Sequence, residues 1–171
     1  MKPPIQEQLQ VAGYRLQAIH TGGSVGTRCV VEPIDGGPLR LADLVYVNHS
    51  ESLRYLCNNV DAFRGVVDHP LIVKPLQAGW LREDVYFQVL DVDADTKTVG
   101  EIWTPPSFNN YKLYIVASRV VAALIHMRER GAIHGALTPS TILLDNEKLR
   151  LAELWWAHNI EELPYHSSLK A

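Results

Sequence analysis

Residues 133–145 read Ile133-His134-Gly135-Ala136-Leu137-Thr138-Pro139-Ser140-Thr141-Ile142-Leu143-Leu144-Asp145, and the rest of the chain is organised around them. A long apolar helix is expected to run into this stretch and a short strand to leave it. His134 could in principle move a proton, but it reads as a packed, hydrogen-bonded residue that shapes the loop. Near the start, Thr21-Gly22-Gly23-Ser24-Val25-Gly26 is a turn rich in glycine. Gly23 and Gly26 would let bare backbone approach an anion, although any hairpin turn can supply two glycines. Other chemistry finds little footing. The seven histidines form no H-x-x-x-H pair and have no cysteine neighbour, so no zinc site is expected. There is no G-x-S-x-G, and His166-Ser167-Ser168 lacks an orienting acid.

Composition narrows the class further. The 171 residues fit one domain, or one domain with a tail. Hydrophobic residues make up 47%, enough for a real core. A net charge of −3 gives no reason to expect nucleic acid or an anionic membrane as partner. The two cysteines, Cys29 and Cys57, form no CxxC pair and read as reduced thiols of a cytoplasmic protein. No run is long and apolar enough to span a bilayer, and no signal-peptide stretch opens the chain.

The elements that must position the loop follow from pattern and punctuation. Residues 1–12 read as a loose lead-in. Strands are expected at 14–19, 27–34 and 39–47, the last two joined by the turn Asp35-Gly36-Gly37-Pro38. A helix follows from Ser50, a plausible N-cap, to Val67, with Leu53, Leu56, Val60, Phe63 and Val67 at helical spacing. His69-Pro70 ends it. Two more strands fit 72–79 and 85–92, then one helical turn within 98–103. Residues 108–130 give the strongest helix signal, closed by Gly131 and by the basic Arg128 and Arg130. A strand pair at 142–144 and 149–152 follows the loop.

His134, Leu137, Pro139 and the run Ile142-Leu143-Leu144-Asp145 keep the frame of a known motif, H-R-D-L-K-P-x-N before an apolar strand. On this loop, the glycine turn, the helix ending in His-Pro and the order of elements, residues 14–157 resemble the protein kinase superfamily, Ser/Thr kinase-like. The resemblance implies an α+β fold: a five-stranded antiparallel N-lobe sheet with one helix, over residues 13–92, and a helical C-lobe over 93–157. That C-lobe is reduced, because the sequence stops soon after the hairpin, and 158–171 is a polar tail.

The resemblance also names the parts that should carry phosphoryl transfer, which works by positioning and electrostatics. Ala136 stands at the catalytic aspartate and Thr141 at the metal-holding asparagine. The third strand has no lysine; its matching position is Ala42 or Asp43. The helix glutamate falls on Val60, with Asp61 turned away. Arg28 stands where a valine should cover adenine, a hydrated cation opposed to adenine burial. Gly23 and Gly26 are vestiges of the phosphate loop. Glu153-Leu154-Trp155 takes the place of D-F-G, so Glu153 is a weak candidate for Mg²⁺ and Trp155 removes the hinge glycine. The base, the cationic grip, its anchor, the second metal ligand and the hinge are lost together. A pseudokinase without bound cofactor is therefore expected.

The long helix suggests what remains. Tyr111, Tyr114, Ile115, Ser118, Val121, Ala122 and Ile125 make one stripe, and the opposite side is apolar too. Such a helix expects burial all round. The expectation is a protein partner or a second copy covering Tyr114, Val121, Ile125, Trp155 and Trp156, with the chain acting as scaffold or allosteric regulator. The rival readings are a divergent nucleotide-binding Ser/Thr kinase or phosphotransferase that uses Glu153 with ATP and Mg²⁺, and a structural domain of a larger protein.

Overall fold

The computed structural model describes residues 4–20, 26–48, 50–59, 68–102, 110–145, 148–153 and 158–159. Over these residues the protein is an α+β fold with a five-stranded antiparallel sheet, a three-stranded sheet and four helices. The large sheet has the order β1-β2-β3-β5-β4, built from Tyr14–His20, Gly26–Pro33, Arg40–Tyr46, Val85–Asp93 and Pro75–Arg82 for β1, β2, β3, β5 and β4. The turn between β2 and β3 is closed by Gly36 and Gly37 at φ values of 91° and 146°, which L side chains rarely adopt.

Strand alternation sorts the sheet into two faces. Cys29 and Val31 of β2, Ala42 and Leu44 of β3, and Phe87 and Val89 of β5 make the outer core. Helix α1, Ile5–Val11, covers it with Leu9, which is fully buried. This corrects the expectation of a loose lead-in. Ile5, Leu9 and Ala12 recur at helical spacing, and all three pack on that core. The inner face carries Leu41, Leu90 and Val92, packed with Val73, Leu143 and Ala152. Helix α2, Glu51–Asn59, lies over Val45, Val47 and Tyr86 through Leu53 and Cys57. Ser50 caps it, its Oγ accepting the Leu53 N–H at 3.3 Å. Residues 60–67, with Val60 and Asp61, lie outside the described residues.

The small sheet has the order β6-β8-β9, from Lys97–Thr98, Ile142–Asp145 and Lys148–Leu151. The one-turn helix α3, Val99–Ile102, follows β6. The long helix α4 spans Asn110–Glu129 and ends at Gly131, φ 73°. Two short strands, β7 at Ala132–Ile133 and β10 at His158–Asn159, pair beyond it. Strand β4 starts three residues later than the pattern suggested. Ile72 and Val73 belong to a joint instead: Ile72 bridges Leu151 in parallel, and the Val73 N–H donates to the Leu151 carbonyl at 2.7 Å. This joint ties the large sheet to the small one.

Helix α4 buries one side, with Val120, Ala123 and Met127 packed on Ile72, Ile142, Leu149 and Leu151. The expected all-round burial is absent from the isolated chain. Tyr111 and Tyr114 are 71% and 69% exposed, and Val121 and Ile125 each 52%. Met127 is fully buried at the centre of this second core. Met127→Ala should lower the unfolding free energy by roughly 2–5 kcal/mol in denaturant titration. A change under about 0.5 kcal/mol would contradict the placement of this core.

Candidate functional site

The loop after α4 is closed upon itself. His134 is buried and donates Nε2–H to the Ala152 carbonyl at 2.9 Å, which ties the loop to the end of β9. Burial pushes its pKa below the ordinary imidazole value, and the bond to Ala152 opposes that only in part. Gly135 sits at φ 78°, a turn that suits glycine. Thr141 is fully buried. Its hydroxyl donates to the Thr138 carbonyl at 2.9 Å and accepts the Thr138 N–H at 3.0 Å. A hydroxyl engaged twice in its own loop is poorly placed to hold a metal. Ala136, half-buried, offers no group that could take a proton.

The inner face of the sheet holds a different constellation. Arg28 on β2 and Asp43 on β3 are direct cross-strand partners. Arg28 Nε donates to Asp43 Oδ1 at 2.7 Å and Nη2 to Oδ2 at 3.1 Å, a fork on a carboxylate. The same Nη2 donates to Glu153 Oε1 at 3.2 Å. All three side chains are almost wholly buried. Glu153 follows β9 with φ at 61°, a left-handed conformation that costs a residue with a Cβ on the order of 1 kcal/mol or more. The backbone turn at Glu153 and the ion pair therefore occur together.

Electrostatics follow from the count of charges. Burial alone would push the Arg28 guanidinium down, but the charge and hydrogen bonds of Asp43, then Glu153 and Glu101, hold it above its ordinary value. Glu101 on α3 accepts the Thr98 N–H at 2.6 Å and lies 3.7 Å from His20 Nδ1. Burial acts to raise its pKa, yet the Thr98 bonds and the nearby His20 and Arg28 outweigh that and keep it low. Carboxylates thus outnumber the cation around Arg28, a field that repels anions. Among the described residues no group of three His, Cys, Asp or Glu side chains could hold a metal ion.

Each residue singled out in the sequence can now be placed. Asp43, not Ala42, faces inward; Ala42 packs beneath α1. The expectation of Arg28 as a hydrated cation is corrected: it is buried because two carboxylates neutralise it. Glu153, the Mg²⁺ candidate, points its carboxylate at Arg28 instead. Gly26 has a structural reason. It opens β2, and a Cβ there would overlap the Leu44 carbonyl oxygen. Gly23, Trp155 and Trp156 lie outside the described residues. Tyr114, Val121 and Ile125 are exposed on α4.

The Arg28–Asp43 pair was the feature that sequence reasoning missed. Its signal was present: opposite charges set in apolar strands, equidistant from the turn at Asp35-Gly36. No family model matches the chain, and a search of curated proteins finds none similar to it. Arg28→Met removes the buried cation that Asp43 and Glu153 share, and should cost roughly 3–5 kcal/mol in denaturant unfolding. Arg28→Lys should fall between, since an ammonium cannot form the fork. A variant as stable as the wild type would remove the triad from the account.

Proposed function

We propose that the chain is a catalytically inactive kinase-like module, a pseudokinase, that acts through protein–protein contact. The observation that carries this reading is the buried Arg28–Asp43–Glu153 triad. In the kinase resemblance, Asp43 stands at the place of the phosphate-gripping lysine and Glu153 at that of the metal-binding aspartate. Here both carboxylates hold Arg28, which itself stands at the adenine-covering position. A triphosphate approaching these residues would meet carboxylates where it needs cations, and would have to break a buried ion pair. Ala136 supplies no base, and Thr141 is closed on its loop.

The surface left for contact is the outer stripe of α4. Tyr111, Tyr114, Val121 and Ile125 expose apolar area that a second copy or a protein partner would cover. Removing this apolar area from water would favour an assembly. No described helix is long and apolar enough to cross a membrane. Cys29 and Cys57 are free and buried, each pushed up to about 12 by burial, which fits reduced thiols in a cytoplasmic setting.

Two measurements test the two halves. ATP with Mg²⁺ should leave the melting temperature unchanged. A ligand bound at 100 times its Kd would add about 2.7 kcal/mol, so a clear upward shift would reverse the reading in favour of a phosphotransferase using Glu153. In sedimentation velocity the wild type should run as an assembly that Val121→Glu breaks into monomers. A wild-type monomer that binds no apolar-surface dye would contradict the contact role.

A further inference from the structure

The joint between the sheets carries a second feature, independent of the Arg28–Asp43–Glu153 triad. It begins at His69 and is held to β9 by Ile72, Val73 and Leu71, the last accepting the Leu151 N–H at 2.8 Å. On its other side the His69 ring lies against the His126 ring of α4, with centroids 4.0 Å apart and planes tilted by 37°. Each ring turns Nδ1 to a group that can only donate. His69 Nδ1 lies 3.2 Å from the Leu71 backbone N, and His126 Nδ1 lies 3.0 Å from Arg130 Nη1. A backbone N–H and a guanidinium have no lone pair to offer. In this geometry each ring accepts at Nδ1.

We propose that His69 and His126 form an acid-released clasp between the joint and α4. A proton added to His69 Nδ1 sets N–H against N–H and breaks its bond with Leu71. It also places a positive charge beside the other ring and beside Arg130. The repulsion acts across the ring contact and pushes the joint off the helix, while the lost bond frees the Leu71 amide.

The other charged groups facing His69 do not compensate. Asp68, Lys74, Asp91 and Arg150 line a cavity of about 230 Å³ together with His69, Pro70 and Ile72. Arg150 of β9 donates to the Asp91 carbonyl at 2.6 Å and lies 3.5 Å from its carboxylate, so the charge of Asp91 on β5 is already answered. Asp68 and Lys74 on the joint's own segment bring one charge of each sign. Arg130 remains as the charge set directly on the pair. Burial, then His126 and Arg130, push the His69 pKa below its ordinary 6.5. A His with a lowered folded pKa contributes stability that is complete above 6.5. It is lost as pH falls from there through the folded value. The clasp is closed at neutral pH and opens in acid.

The buried His134 also titrates, so global acid unfolding would not isolate the clasp, and a site-specific readout is needed. NMR of the full chain should follow the His69 Cε1–H shift and the exchange of the Leu71 and Ile72 amides, corrected for intrinsic rates. The Leu71 amide should lose protection by about tenfold or more between pH 7.5 and pH 5.5, while amides in β2 and β3 keep theirs. In His126→Phe, which keeps a ring but cannot take a proton, the His69 midpoint should move up toward 6.5. Equal Leu71 protection at the two pH values would overturn the clasp, as would a His69 midpoint unmoved in the variant. Should His126→Phe not fold, the wild-type exchange decides alone.

Discussion

A guanidinium taken out of water must be answered by charge, and the way Arg28 is answered constrains much of this molecule. Desolvating an ion costs several kcal/mol even after relaxation. Asp43 repays part of it from the neighbouring strand, with both fork bonds formed. The second carboxylate arrives from Glu153, 125 residues further along the chain. One buried cation therefore fixes the register of β2 on β3 and the position of the end of β9 beneath the large sheet. A one-residue slip of β2 would turn Arg28 to the outer face against the apolar side chains of Leu9, Leu44 and Phe87, and would turn Cys29 and Val31 inward.

The segment around the triad obeys the same demand. Leaving β9, the chain turns left-handed at Glu153, a conformation that few residues with a Cβ adopt. Just before it, the Ala152 carbonyl accepts a hydrogen bond from His134 Nε2–H and the Ala152 N–H donates to the Thr141 carbonyl at 2.8 Å. The loop, the hairpin and the triad thus share two consecutive residues, Ala152 and Glu153. In the reading proposed for this chain, groups that would serve a nucleotide in an active relative serve internal cohesion instead.

Much of the framework was legible in the sequence because it rests on local signals. Period-two apolar runs, the Asp35-Gly36 turn, the Ser50 cap and the Gly131 stop each act over a few residues, and each agrees with the elements found. Helix α1 was missed because its seven residues are mostly polar; it folds because Leu9, with Ile5 and Ala12 beside it, meets an outer face that the sequence does not display. The start of β4 was placed too early because Ile72 and Val73 look like strand residues. Their partner is Leu151, and a bridge so distant leaves no local trace. Of the candidate site, the residues were named but their relation was not. Arg28, Asp43 and Glu153 were weighed one at a time against a ligand, when their chemistry lies in one another. The face of α4 was read well as apolar, yet periodicity cannot tell which side a neighbouring chain would cover.

The energetic coupling of Arg28 to Glu153 is the most direct measure of whether one ion pair unites the two sheets. A double-mutant cycle with Arg28→Met, Glu153→Leu and both together would obtain it from denaturant unfolding. The account predicts that the paired change costs at least 1 kcal/mol less than the two single costs combined, since the Arg28–Glu153 interaction is lost in either single change and so counted twice in their sum. Single costs that add to within about 0.5 kcal/mol would contradict it, because sites that do not interact behave that way.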